Sequence, residues 1–78
     1  MRKKQLRVVV SFYTTAGAMA TEQLCRREGL EGRLISVPRK ITSDCGIAWS
    51  APVELHPQVE QLLRSSGIEA AGSYELAV

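Results

Sequence analysis

The sequence predicts an α+β domain with the element order βαββαβ. Residues 7–13 and 47–51 alternate apolar and small or polar side chains with the two-residue period of strands. Residues 16–28 and 56–66 instead space their apolar side chains at helical intervals. With 78 residues, the chain can build one layer of sheet covered by a pair of helices, but no deep substrate cavity.

The first half of the chain reads as a strand followed by a helix. The alternation in residues 7–13 puts Val8, Val10 and Phe12 on one face. Thr14 and Thr15 offer hydroxyl caps for a helix that we expect over residues 16–28, ending at Gly29. Cys25 falls on the apolar side of this helix, so we interpret it as a core residue.

The rest of the chain contains three further strands and a second helix. Strand 33–37 ends at Pro38, and a polar stretch then leads to Cys45-Gly46 and strand 47–51. His56-Pro57 has the form of a cap followed by a proline and predicts a helix ending at Gly67. The last strand covers residues 69–76, with a bulge expected at Gly72.

The most economical arrangement is the ferredoxin-like split βαβ, a four-stranded antiparallel sheet with two helices on one face. Right-handed crossovers place strands one and three in its centre. We expect a single domain over residues 1–78, with residues 1–5 as a flexible basic tail.

Two cysteines and one histidine are too few for a disulfide framework or a structural zinc site, so we expect no metal and no cofactor. No apolar run is long enough to cross a membrane or to serve as a signal peptide. We therefore expect a cytoplasmic protein with free thiols.

Cys45 is the best candidate for chemistry. In the predicted sheet the end of strand one lies beside the start of strand three, which brings Thr14 and Thr15 near Cys45 and Gly46. The free amide groups of a helix amino terminus favour a thiolate, the reactive form of cysteine. Gly46 has no side chain, so a partner can approach the sulfur closely.

Three charged residues near Cys45 in the sequence have opposing effects on its thiol. Arg39 and Lys40 favour the thiolate, whereas Asp44 disfavours a second negative charge beside it. His56 is not expected to act as a base for this thiol, because strand three separates the two residues by roughly 20 Å. The sequence does not decide the pKa of the thiol.

Three stretches of the sequence resemble the motifs of one protein family. The stretch VPRKITSDCGIA at residues 37–48 is similar to the signature V-P-R-x-I-S-S-x-C-G-[LIV]-A of the selenium/sulfur (Se/S) carrier-like family of short bacterial proteins. The stretch FYTTAGAMATE at residues 12–22 resembles its strand-to-helix segment, and SGIE at 66–69 resembles its late G-I-x sequence. Asp44 and Thr42 replace smaller residues of that pattern, and Trp49 is bulkier than the usual aliphatic residue.

This resemblance implies a carrier protein rather than a stand-alone enzyme. Cys45 would hold sulfur or selenium as a persulfide or perselenide, with Arg39 and Gly46 as supporting positions. The partners implied are a donor similar to a cysteine desulfurase and an acceptor protein. The sequence does not choose between sulfur and selenium, nor between a carrier and a redox-sensing thiol.

Two other functions compete with this reading. A non-catalytic regulatory or interaction module would use an open apolar sheet face, predicted to carry Val9, Tyr13, Leu34, Ala48 and Tyr74, to form a homodimer. RNA binding would need aromatic residues together on the central strands. Because Tyr13 and Trp49 fall on opposite faces, we do not expect nucleic acid as a partner.

Overall fold

The computed structural model describes residues 5–41 and 46–77, and within them the chain forms four strands and two helices. A single 3-10 turn, Val53–Leu55, leads into the second helix. The predicted basic tail falls almost wholly outside the described residues. The elements are β1 (Leu6–Phe12), α1 (Thr15–Arg27), β2 (Arg33–Ser36), β3 (Ile47–Pro52), α2 (His56–Ser66) and β4 (Ala70–Ala77).

The four strands form one antiparallel sheet in the order β2-β3-β1-β4, so β1 and β3 are central. The predicted α+β class, the four-stranded antiparallel sheet and the two helices are confirmed. Ser11 pairs with Gly72 and Phe12 with Ala70, which leaves Ala71 as an extra residue in β4. The irregularity expected at Gly72 is therefore present beside it.

Both helices pack on the same face of the sheet, where the main core lies. The sheet contributes the face of β1 that the alternation predicts, together with Trp49 and Ala51 of β3. The helices contribute the buried side chains of Ala18, Cys25, Val59 and Leu63. Neither described helix is long and apolar enough to span a bilayer.

The opposite face of the sheet is partly covered, contrary to the open apolar face that the sequence predicts. Val9 and Ala48 are fully buried there because Ile41 packs against them, with Val37 beside it. Residues 37–41, which we call the strap, thus fold back over the face. Leu34 is opposite Trp49 and packs on the helix side, so its predicted position was wrong.

Of the five side chains assigned to that face, only Tyr13 and Tyr74 are exposed. A homodimer formed through this face stays a prediction, but most of the apolar side chains that would form its interface are not exposed. Trp49 is 1% exposed inside the helix-side core, where it cannot stack on a nucleic-acid base.

Candidate functional site

The backbone on the carboxyl side of Cys45 lies at the end of β1, where α1 begins. The last recorded pair of the central register is Ser11 with Ala48. Gly46 precedes Ala48 by two residues, so its backbone lies at the end of the sheet where β1 leads into α1. Cys45 itself lies outside the described residues, but it is bonded to Gly46.

Gly46 has features that suit an accessible site. Its φ is +75°, in the left-handed region that glycine adopts at little cost. The residue is exposed, and a Cβ added to it would meet nothing within 4 Å. Its carbonyl accepts a hydrogen bond from the amide of Val37 at 3.1 Å, which ties this end of the strap to β3.

The amino terminus of α1 is capped by one of the two predicted threonines. Thr14 Oγ1 accepts a hydrogen bond from the amide of Gly17 at 3.1 Å, whereas Thr15 is the first residue of the helix. The first turn contains no acidic side chain, so no carboxylate of its own offsets the positive end of the helix dipole. Thr14 is therefore the capping residue, and Thr15 is not.

Removing this cap tests how much it contributes to the stability of the fold. We expect Thr14→Ala to lower the free energy of unfolding by about 1 kcal/mol, because the Gly17 amide loses its partner. Thr15→Ala is the matched control and should change stability by less than about 0.5 kcal/mol. Urea unfolding followed by circular dichroism measures both. Equal losses in the two variants would contradict the assignment of the cap.

Arg39 and Lys40 are exposed residues of the strap. A hydrogen bond of 3.0 Å from the Ile41 amide to the Pro38 carbonyl closes the turn that contains them. The strap turns both residues toward a groove that Leu76 and Ala77 of β4 also line. Their predicted effect on the Cys45 thiol stays a prediction, because that thiol is outside the described part of the chain.

Cys25 is unsuitable for surface chemistry. Its side chain is fully buried in the helix-side core, as the sequence predicts, and its sulfur is a free thiol. Desolvation by burial raises the pKa of this thiol above the ordinary value of 9.0. A buried thiol that keeps its proton is a poor nucleophile, so Cys25 has a packing role.

Comparison with known proteins connects this site to a family. A family model described as "Putative Se/S carrier protein-like" matches residues 7–75. The chain belongs to this family. The resemblance seen in the sequence is thus confirmed over most of the chain, including the Cys45-Gly46 block. No curated protein and no solved structure matches the chain.

This Se/S carrier-like chain also holds a polar cluster that the sequence did not reveal. His56 Nδ1 lies 2.6 Å from Glu75 Oε2, and its Nε2 lies 2.8 Å from Ser73 Oγ and 3.2 Å from Glu60 Oε1. The predicted capping role of His56 was wrong, because Leu55 is the N-cap and His56 begins the helix. Only the Glu60 contact, at the i,i+4 spacing, was readable from the sequence.

The cluster has the connectivity of a Ser-His-acid triad, but a second carboxylate, that of Glu60, lies 3.2 Å from Nε2, the nitrogen that faces Ser73. The hydrogen bond that His56 donates to Glu75 is the main cause that raises the pKa of His56 above 6.5, with Glu60 adding to it. Carboxylates beside both ring nitrogens favour the protonated imidazole, and in that form His56 donates from both nitrogens and cannot take the proton of Ser73. We therefore interpret the cluster as an ion pair that ties α2 to β4. Among the described residues there is no group of side chains that could hold a metal ion.

This ion pair predicts a pH dependence of stability. Folding raises the pKa of His56, so the ion pair contributes fully to the free energy of unfolding below about pH 6.5. This contribution is lost as the pH rises through the pKa of His56 in the folded protein. At about pH 5.5 we expect the free energy of unfolding of wild type to exceed that of His56→Gln by about 0.5–1 kcal/mol. The difference should be smaller at about pH 9. Urea unfolding of both proteins at the two pH values measures this. A difference that grows with pH would contradict it.

Proposed function

We propose that this protein carries sulfur or selenium on Cys45 and passes it from a donor protein to an acceptor protein. The observation that carries the proposal is the family match over residues 7–75, which includes the Cys45-Gly46 block. The name of the family indicates sulfur or selenium as the cargo. Cys45 is the only cysteine left for this role once Cys25 is assigned to the core.

The proposed transfer balances without an outside oxidant or reductant. The Cys45 thiolate attacks the terminal sulfur of a donor persulfide, R–S–SH. The donor S–S bond breaks, the donor leaves as its thiolate, and a new S–S bond joins the moved sulfur to Cys45. The acceptor repeats the same exchange and returns Cys45 to a thiolate. A selenium atom bonded in the terminal position follows the same scheme.

The described surroundings support this chemistry. A Cβ added to the exposed Gly46 would meet no described atom within 4 Å, so the residue bonded to Cys45 leaves room for a docking protein. The register brings Gly46 beside the end of β1, from which α1 begins with its positive terminus. An anionic persulfide is stabilised by such a terminus. Surface exchange also fits a chain too short to enclose a substrate.

Loading of Cys45 is the test of the proposal. The protein is incubated with a cysteine desulfurase and either cysteine or selenocysteine, and intact masses are then measured. We expect increments of whole sulfur or selenium atoms on wild type and on Cys25→Ala, but none on Cys45→Ser. Increments that persist in Cys45→Ser, or none on wild type with either substrate, would sink the proposal. The comparison of the two substrates also identifies the preferred cargo.

We further propose that the fold is ferredoxin-like and that the protein acts in the bacterial cytoplasm. Support for the fold comes from the central position of β1 and β3 and from the two helices on one face. Support for the location comes from the family resemblance and from the two cysteines of the chain, which are too few for the disulfide framework of a small secreted domain.

A further inference from the structure

A surface groove of about 380 Å³ lies between the strap and β4, an edge strand of the sheet. Its apolar lining includes Ile35, Pro38 and Leu76, and Arg39 and Lys40 also line it. The groove exists because the strap crosses the sheet face, where Ile41 is 7% exposed and packs with the Ile35 and Leu76 side chains around Val9 and Ala48. The strap therefore presents two cations above an apolar surface.

Neither cation of the groove is neutralised within the described part of the chain. The ion pairs there join Arg26 to Glu22 and His56 to Glu60 and Glu75, and none involves Arg39 or Lys40. Both residues are exposed, and no carboxylate among the described residues competes with a partner for their charges. Guanidinium and ammonium groups are complementary to carboxylates, and arginine can bind one with two parallel hydrogen bonds. The charge of the groove thus fits an anionic occupant.

We propose that this groove binds an acidic segment of a partner protein. One apolar side chain of the segment would lie between Ile35, Pro38 and Leu76, while flanking carboxylates would reach Arg39 and Lys40. A protein segment fits better than a small molecule, because an open groove leaves most of a small ligand in water, whereas a segment extends beyond it.

The position of the groove in the sequence connects it to Cys45. Lys40 precedes Cys45 by five residues, and five residues span at most about 18 Å. A protein docked at the groove can therefore place a second region of its surface at the cysteine. That the docked protein is the sulfur or selenium donor or acceptor rests on the proposed function, whereas binding of the segment does not.

Peptide titration followed by nuclear magnetic resonance tests the inference on the full chain. The probe is acetyl-Asp-Glu-Leu-Asp-Glu-amide, and its neutral counterpart is acetyl-Asn-Gln-Leu-Asn-Gln-amide. We expect the acidic peptide to shift the amide signals of Ile35, Lys40 and Leu76 in a saturable way. Arg39→Gln/Lys40→Gln should weaken its apparent affinity at least about tenfold. The matched control Arg27→Gln/Arg64→Gln removes the same charge from the two helices and should bind like wild type.

Several outcomes would overturn this inference. The first is that the acidic peptide causes no saturable shift, and the second is that the neutral peptide binds equally well. The third is that the control pair of substitutions weakens the affinity for the acidic peptide as much as Arg39→Gln/Lys40→Gln does. The same shifts with inorganic phosphate at the same concentration would show a general anion site instead. If the peptide does not bind but Cys45 still takes up sulfur or selenium, only this inference is wrong. If Cys45 takes up neither but the peptide still binds, only the proposed function is wrong.

Discussion

A Gly32→Ala variant is expected to lose at least about 2 kcal/mol of the free energy of unfolding. A Cβ at this position would collide with Cζ2 of Trp49 and lie 2.8 Å from its Cε2 and 2.7 Å from the Ser50 carbonyl oxygen. The indole is 1% exposed in the core, and the Ser50 oxygen belongs to the backbone of β3. Neither can move aside without disturbing the sheet.

The matched control for this substitution is Gly29→Ala. Gly29 has a φ of +77° and open space around it, so an added methyl group meets no atom within 4 Å. We expect a loss of about 1 kcal/mol, which reflects backbone strain alone. Urea unfolding compares the two variants. A Gly32→Ala protein as stable as Gly29→Ala would show that the packing of Trp49 against this loop is not as described.

The second large effect concerns the reactivity of the buried thiol. In a Cys45→Ser variant, Cys25 is the only thiol left. It should react with a disulfide reagent such as dithionitrobenzoate at least about a thousandfold more slowly in buffer than in denaturing urea. The physical reason is that the sulfur is fully buried and that burial raises the pKa of the thiol, so reaction requires the core to open.

The reciprocal variant completes this prediction. Cys25→Ala keeps Cys45 alone, and we expect its thiol to react in buffer at a rate close to that of the unfolded chain. Slow labelling of both variants would mean that Cys45 is as protected as Cys25, which contradicts a carrier role. Rapid labelling of Cys25 in the folded Cys45→Ser protein would contradict the described core.

The sheet and its core face could be predicted because their signals are local. The alternation of β1 puts Val8, Val10 and Phe12 on one face whatever they contact, and the structure places them there. Cys25 likewise follows from helical periodicity. The position of Leu34 could not be predicted, since a four-residue strand has too little alternation to fix its register.

The strap and the polar cluster escaped prediction because they depend on long-range contacts. The sequence predicts a strand over residues 33–37 and a polar connection over residues 39–44, and only tertiary packing shows that Ile41 covers Val9. The contact of His56 with Glu75 joins residues 19 apart, for which the sequence carries no pattern. At the candidate site the sequence supplied Cys45, Gly46 and the Thr14 cap, whereas the groove beside Arg39 needed the structure.

Discharge of the loaded protein tests the carrier role most directly, because a redox-sensing thiol can be oxidised but has no sulfur to give. Protein loaded by a cysteine desulfurase is freed of small molecules and treated with cyanide, which removes the outer sulfur of a persulfide as thiocyanate and restores the thiol. We predict one equivalent of thiocyanate per loaded chain from wild type and Cys25→Ala, and none from Cys45→Ser. Loaded wild-type protein that yields no thiocyanate, or Cys45→Ser protein that yields as much as wild type, would contradict the account.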